Sequence, residues 1–235
     1  MHTVLRSYNN ADVLNLIRCL SSTGFVSSFS VVINSREDRI GTDRLLKAVD
    51  SPIPIVLVPL DEYGWSRALN AGIRALPPIR HYDELVMMVS NGVSITPGEV
   101  SLMKQAALKQ DASCGYALFE GRDELTYRMP RNTFIVWRRS LFEEVGLFDE
   151  SLDNDTGMED YDMVLRACQH TNSLPYIGPK NVRIQLCSDI DLTAKLGWEA
   201  RGVQLVEKRY PSDLVMKMRD HIRRENEKRS PSGGS

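Results

Sequence analysis

Between Leu141 and Arg166 the chain reads LFEEVGLFDESLDNDTGMEDYDMVLR, its densest run of side chains able to do chemistry. An amphipathic helical turn is expected to break at Gly146, where an acidic loop begins through Asp149, Glu150, Asp153, Asn154 and Asp155. After Thr156 and Gly157 a helix is expected to open as Met158-Glu159-Asp160-Tyr161-Asp162. Met163, Val164, Leu165 and Ala167 are its expected buried contacts. Carboxylates in a first helical turn meet the positive end of the helix dipole, which favours their ionised forms. Such a cluster suits a base that removes a proton, or a holder for a cation. Taken alone, an ordinary acidic helix start has the same composition.

Other elements must bring that helix mouth to a ligand. Thr3-Val4-Leu5 is a short apolar run ending at a polar turn, Arg6 to Asn10. Ala11 to Leu20 has helical periodicity through Val13, Leu14, Ile17 and Leu20. Phe29 to Ile33 reads as a strand that runs into a polar loop, Asn34 to Asp38, and Thr42 can cap a helix carrying Leu45, Leu46 and Val49. Ile53 to Val58 is a third strand, Gly64 to Leu76 a helix, and Leu85 to Val89 a fourth strand ending at Ser90-Asn91-Gly92. A further helix starts at Pro97 and reaches about Lys109. Alternation of this kind predicts an α/β fold, a mostly parallel Rossmann-like sheet flanked by helices. Ligands of such sheets bind beyond the carboxyl ends of the strands. Here those ends are polar: Ser7 to Asn10, Asn34 to Asp38, Pro59 to Glu62, and Ser90 to Gly92.

The second half is less regular. Strands are expected at Cys114 to Phe119, Thr133 to Trp137 and Asn181 to Leu186, with a charged connection from Glu120 to Arg131. Two helices follow, Asp191 to Arg209 and Ser212 to Lys228. The expected organisation is one domain over 1–190, with its halves at about 1–110 and about 111–190. Helices over 191–229 form a C-terminal extension packed on it, and 230–235 is a flexible tail.

Composition sets outer limits. The 235 residues carry a net charge of −2, so no global field draws in nucleic acid or an anionic membrane, and no nucleic-acid partner is expected. The cysteines Cys19, Cys114, Cys168 and Cys187 form no CxxC pair, which argues against zinc and fits a reducing compartment. His2, His81, His170 and His221 lack metal-ligand spacing. The chain start has no apolar signal core, and no run approaches the ~18 apolar residues of a membrane span. A cytoplasmic location is expected. Peripheral contact at the inner face of the membrane is left open by the basic residues of the last helix.

In order and spacing, several blocks resemble the family 2 glycosyltransferases of the GT-A fold. Ser7-Tyr8-Asn9 is similar to that family's T-Y-N turn, and VVINSRED (Val31 to Asp38) to its V-V-D-N-G-S-T-D loop. GWSRALNAGI (Gly64 to Ile73) is similar to its G-x-x-x-A-R-N-x-G-I helix, and SITPG (Ser94 to Gly98) to the segment after its D-x-D. RRSLFEEVGLFD (Arg138 to Asp149) and GMEDYDMVLR (Gly157 to Arg166) resemble its R-R-x-x-F-x-x-x-G-x-F-D and G-x-E-D-x-D-L-x-x-R blocks. There are departures. The D-x-D positions hold Ser90-Asn91-Gly92, Ile33 replaces the first Asp of the nucleotide loop, and Leu69 replaces the helix Arg.

The resemblance implies an enzyme, a glycosyltransferase working by inverting single displacement. Its partners would be a nucleotide-sugar donor and a glycan or other hydroxyl acceptor. It implies a carboxylate base, for which Asp160 is the first choice and Glu159 the second. For the donor it implies Ser7, Tyr8 and Asn9 around the base, and Asn34 and Asp38 at a base edge or ribose. It adds Gly64, Arg67 and Asn70 near the diphosphate and Ser90, Asn91 and Gly92 at ribose or phosphate. An Asx-stabilised turn accounts equally well for Asn34 and Asp38, and a solvated helix face for Arg67. Asp162 is placed on the acceptor side or in a structural role, and Trp198 as an acceptor platform. A hard divalent cation wants several oxygen ligands, usually carboxylates. No metal ligand is therefore assigned, and Mn or Mg stays an open cofactor. Arg67, Arg128 and Arg131 are candidates to replace its charge. The alternative is a non-catalytic relative that binds a nucleotide or glycan. A nucleotidylyltransferase-like enzyme is disfavoured, because no glycine-rich signature with a basic residue follows the first strand.

Overall fold

In a computed structural model of the chain, the described residues are 1–7, 10–34, 51–62, 64–90, 93–109, 114–116, 134–153, 158–177, 185–186 and 201–227. Tyr8, Asn9, Asp38, Asn91, Gly92 and Trp198 lie outside them. So do Arg128, Arg131, the helix expected after Thr42, the Glu120 to Arg131 connection and residues 191–200.

The first half alternates strand and helix as expected: β1 (His2–Ser7), α1 (Asn10–Ser22), β2 (Ser28–Asn34), β3 (Ile55–Leu60), α2 (Trp65–Arg74), β4 (Leu85–Ser90), β5 (Val93–Ser94) and α3 (Pro97–Lys109). Then come β6 (Cys114–Tyr116), β7 (Phe134–Arg138), α4 (Leu141–Glu144), a 3-10 turn (Glu150–Leu152), α5 (Glu159–Thr171), β8 (Tyr176–Ile177) and β9 (Gln185–Leu186). Residues 201–207 are helical, and α6 spans Ser212–Glu227.

The large sheet has the order β3-β2-β1-β4-β7-β6-β8, and β5 pairs with β9 apart from it. β3, β2, β1 and β4 run parallel, while β7 is antiparallel to both β4 and β6. The chain moves outward from β1 to β3, then returns to place β4 on β1's other side. That reversal makes the β1/β4 boundary a topological switch point, where a crevice opens at the strand carboxyl ends. β4 reads LVMMVS and is buried on both faces, as a central parallel strand requires. Pro59 is tolerated in β3 because β3 is an edge strand.

Two apolar layers enclose the sheet. On one face Leu5, Val31, Ile33, Met87, Val89 and Phe134 meet α1 and α3 through Val13, Ile17, Leu20, Val100 and Met103. On the other, Val4, Val32, Val86, Met88, Ile135 and Trp137 meet α2 and α5, and Val203, Val206 and Met218 join that same layer. Gly72 lets α2 sit close to the sheet, since a Cβ there would overlap Val4. Trp137 anchors the return through α4. Phe142 and Phe148 lie 5.9 and 6.3 Å from it with edge-on rings. Gly146, at φ +85°, makes the expected break after α4.

One element differs in a way that matters below. The first strand does not stop at Leu5. β2 and β4 both pair with it up to Arg6, so the backbone stays extended and Arg6 is a strand residue rather than part of a turn.

Candidate functional site

Side chains alternate between faces along a strand. Val4 faces the α2/α5 layer, so Arg6 does too. In β4, Val86 and Met88 face it, so Ser90 does too. Arg6 and Ser90 are also paired across the β1/β4 ladder. Sequence pattern and register together put a guanidinium and a hydroxyl side by side at the switch point. Arg6 Nη2 donates to Ser90 Oγ at 2.8 Å, with both residues buried.

The mouth of α5 closes on this pair. Glu159 Oε1 stands 3.7 Å from Arg6 Nη1, and the Arg6 guanidinium lies 4.9 Å from the ring centre of Trp65, the first residue of α2. Burying a charge costs several kcal/mol unless a partner compensates it. Arg6 has compensation from a carboxylate, a hydroxyl and an aromatic face. Trp65 is 39% exposed, so this cluster is buried beneath an accessible ring.

Asp160 follows Glu159 and is equally buried. Its Oδ1 accepts from the Tyr161 backbone N–H at 2.9 Å, satisfying a donor that the helix itself leaves unpaired. The two carboxylates therefore have different surroundings: Glu159 meets the sheet cation, and Asp160 caps its own turn.

Asp162 points elsewhere. Its Oδ2 accepts from Arg166 Nε at 2.9 Å, and its Oδ1 accepts from the Tyr210 hydroxyl at 2.7 Å, with Arg209 Nη1 at 3.8 Å. Burial, reinforced by the neighbouring Asp162 carboxylate, pushes the Tyr210 hydroxyl well above its ordinary pKa. Arg209 also reaches Asp149 at 2.7 Å. Burial works to raise the Asp149 carboxyl, but the Ser151 hydroxyl and Arg209 outweigh it, so the group lies below the usual range. Asp162 thus ties α5 to the segment that follows residues 201–207. Tyr161 does the same through Glu207, whose Oε1 accepts from the Tyr161 hydroxyl at 2.9 Å and from Arg219 Nε at 2.7 Å.

The helix α2 carries three residues expected at the donor diphosphate, and each has a partner within the fold. Gly64, at the N-cap, leaves room for Asp153: a Cβ there would overlap the Asp153 carboxylate. Asp153 accepts from the backbone N–H groups of Ser66 and Arg67, the latter at 3.1 Å. Arg67 pairs with Glu62 at 2.7 Å and Glu150 at 3.7 Å. Asn70 is buried. Its Nδ2 donates to Phe148 O and Glu150 Oε1, both at 2.9 Å, and its Oδ1 accepts from Phe148 N at 2.9 Å. These contacts hold the acidic stretch against α2. They leave Arg67 directed at the carboxylates of Glu62 and Glu150. Ser7 and Asn34 are the last residues of β1 and β2, at the sheet's carboxyl edge.

A divalent ion finds a poor fit at the D-x-D positions. Ser90 brings a hydroxyl and no carboxylate, and that hydroxyl is already bonded to a cationic guanidinium. No group of three potential metal ligands is assembled among the described residues. A cavity of about 570 Å³ exists, but at the opposite end of the sheet, beside the starts of β1, β2 and β4 at His2, Ser28 and Leu85.

Arg6 and Trp65 are the site residues that the sequence pattern did not single out. A charged residue just after an apolar run, in the first strand of an alternating α/β pattern, was the available signal for Arg6. Compared with solved structures, the chain is similar to the crystal structure of S. aureus TarS 1-349. The TM-score is 0.53 over 86% of this chain and 71% of that one, at 12% identity. The fold is of the GT-A type. HddC from Yersinia pseudotuberculosis superposes with a TM-score of 0.45 at 11% identity, over 72% of this chain and 99% of that one. No family profile and no curated protein matches the sequence. No helix among the described residues is long and apolar enough to cross a membrane.

Proposed function

We propose that this protein is a glycosyltransferase that moves a sugar from a nucleotide-sugar donor to a hydroxyl of a glycan or other acceptor. The observation that carries the reading is the seat of α5. Its acidic first turn is fixed by Arg6 against the carboxyl ends of β1 and β4, at the switch point of a glycosyltransferase-like fold. The reaction is an inverting single displacement. The acceptor oxygen forms a bond to the anomeric carbon as the bond from that carbon to the nucleoside diphosphate breaks. The leaving group departs with the electron pair, and the acceptor proton passes to a carboxylate. Asp160 is assigned as that base, with Glu159 as the second choice. The donor lies along the carboxyl edge of the sheet, near Ser7, Tyr8, Asn9, Asn34, Asp38, Ser90, Asn91 and Gly92, with Trp198 toward the acceptor.

The test is release of nucleoside diphosphate from a panel of nucleotide sugars, with and without manganese, followed by Asp160→Asn. A positioned base contributes roughly 10²–10⁴-fold, so turnover should fall by that factor while unfolding stays cooperative. Full activity in Asp160→Asn rules out the assigned base. The missing carboxylates at Ser90 to Gly92 favour one other reading, a non-catalytic relative. Binding of a donor without turnover would select it.

A further inference from the structure

We propose that Arg6 is the resident cation of this site, and that the acidic mouth of α5 works without a divalent metal because Arg6 already fills that electrostatic role. The inference rests on the glycosyltransferase reading for its mechanistic meaning, but not for its geometry or its test. Three observations converge. The residue at the first D-x-D position, Ser90, is bonded by Arg6 through its hydroxyl. The same guanidinium faces Glu159 at 3.7 Å, so one fixed charge spans the sheet edge and the acidic helix. Both partners are nearly excluded from water, with side chains 3% and 5% exposed, so their charges are weakly screened.

A divalent ion drawn to Glu159 and Asp160 would have to settle beside this guanidinium. Like charges at such separation repel strongly in a poorly hydrated site. An ion pair at 3.7 Å is also longer than a charge-assisted hydrogen bond of about 2.7–2.9 Å. Arg6 thus places a positive charge beside Glu159, the electrostatic part of what a bound ion would supply. Unlike an ion it is covalently part of β1, is positioned by the β2 and β4 ladders, and cannot be chelated away.

The experiment is manganese binding to the whole chain, followed by loss of the free-ion electron paramagnetic resonance signal in the absence of donor. Wild type should bind no stoichiometric manganese at millimolar ion. Arg6→Met removes this guanidinium from the acidic turn and should gain at least tenfold in manganese affinity. Removing one partner of a buried pair threatens folding, whereas replacing both is tolerated. Arg6→Met/Glu159→Gln is therefore the second variant, and it should lose the gain while unfolding cooperatively. Arg6→Lys, which keeps the charge, should remain as metal-free as wild type. Stoichiometric manganese in wild type that disappears in Glu159→Gln overturns the proposal, and so does an Arg6→Met/Glu159→Gln protein that binds manganese as wild type does not. Neither result depends on turnover, so failure here is distinct from failure of the glycosyltransferase assignment.

Discussion

Gly64→Ala and Asp153→Ala should destabilise the protein through one shared interaction, and a double-mutant cycle can isolate it. Asp153 caps α2 from a distant part of the chain, accepting from the Ser66 and Arg67 backbone N–H groups. Loss of such a cap costs about 0.5–2 kcal/mol. Removing a negative charge from a helix N-terminus adds about 0.3–1 kcal/mol. Asp153→Ala should therefore cost about 1–3 kcal/mol. Gly64 has φ −136° and ψ 160°, extended backbone that alanine adopts without strain. Its methyl would nevertheless overlap the Asp153 carboxylate and force the cap off. Gly64→Ala should cost nearly as much, less the ~0.4–1 kcal/mol gained by restricting the unfolded chain. Once Asp153 is alanine the clash is gone, so Gly64→Ala in that background should be neutral or stabilising. The coupling is thus about the value of the cap itself, about 1–3 kcal/mol. Urea unfolding of the four proteins measures it, given unchanged m-values. Costs that add within about 0.5 kcal/mol refute the reasoning. A glycine kept for diphosphate approach would instead show unchanged stability and weakened pyrophosphate binding.

Two further outcomes concern the contacts behind α5. Tyr210→Phe removes a hydrogen bond to a buried carboxylate and should cost about 1.5–3 kcal/mol at neutral pH. Because the folded-state pKa of Tyr210 is raised, its contribution is complete below the unfolded value of about 10 and fades as pH rises beyond it. The variant should therefore lose less stability between neutral and alkaline pH than wild type, and parallel Tm profiles would contradict this. Glu207→Gln weakens the link from Tyr161 to Arg219. With Arg219 61% exposed, solvent screening limits the expected loss to roughly 1–2 kcal/mol by urea titration, and no loss would show that the C-terminal helices are held by their apolar contacts alone.

The local parts of this architecture were legible in the residues. The helical spacing of Val13, Leu14, Ile17 and Leu20 writes out α1, although the structure buries Leu16 and leaves Leu14 half-buried, and the apolar run Leu85 to Val89 writes out a central strand. The α5 start was legible as well, from its acidic turn after Gly157. What stayed hidden is non-local. Arg6 looked like the first residue of a turn, and only the ladders from β2 and β4 on both sides keep it in the strand. Gly64 and Asn70 are donor-side candidates through the resemblance of GWSRALNAGI, and the sequence does not reveal what they touch within the fold. Their partners, Asp153, Phe148 and Glu150, arrive from the far side of the sheet's crossover. A short-range pattern carries no record of such pairings.

Within Met158-Glu159-Asp160-Tyr161-Asp162, Asp160 and Asp162 point to different sides because a helix turns about 100° per residue. Asp160 and Asp162 are two positions apart, so their side chains leave the axis about 160° apart and cannot serve one reacting atom. Asp162 is held by Arg166, Tyr210 and Arg209, while Glu159 lies 3.7 Å from Arg6. Asp162 is therefore a structural tie whose removal should appear first in unfolding, and a loss of turnover in Asp162→Asn would say nothing about proton transfer. Asp160 accepts within its own helical turn, a contact whose amide replacement keeps an acceptor oxygen. Asn at that position preserves the shape and removes the basicity, which is why Asp160→Asn, among changes in this turn, separates chemistry from folding.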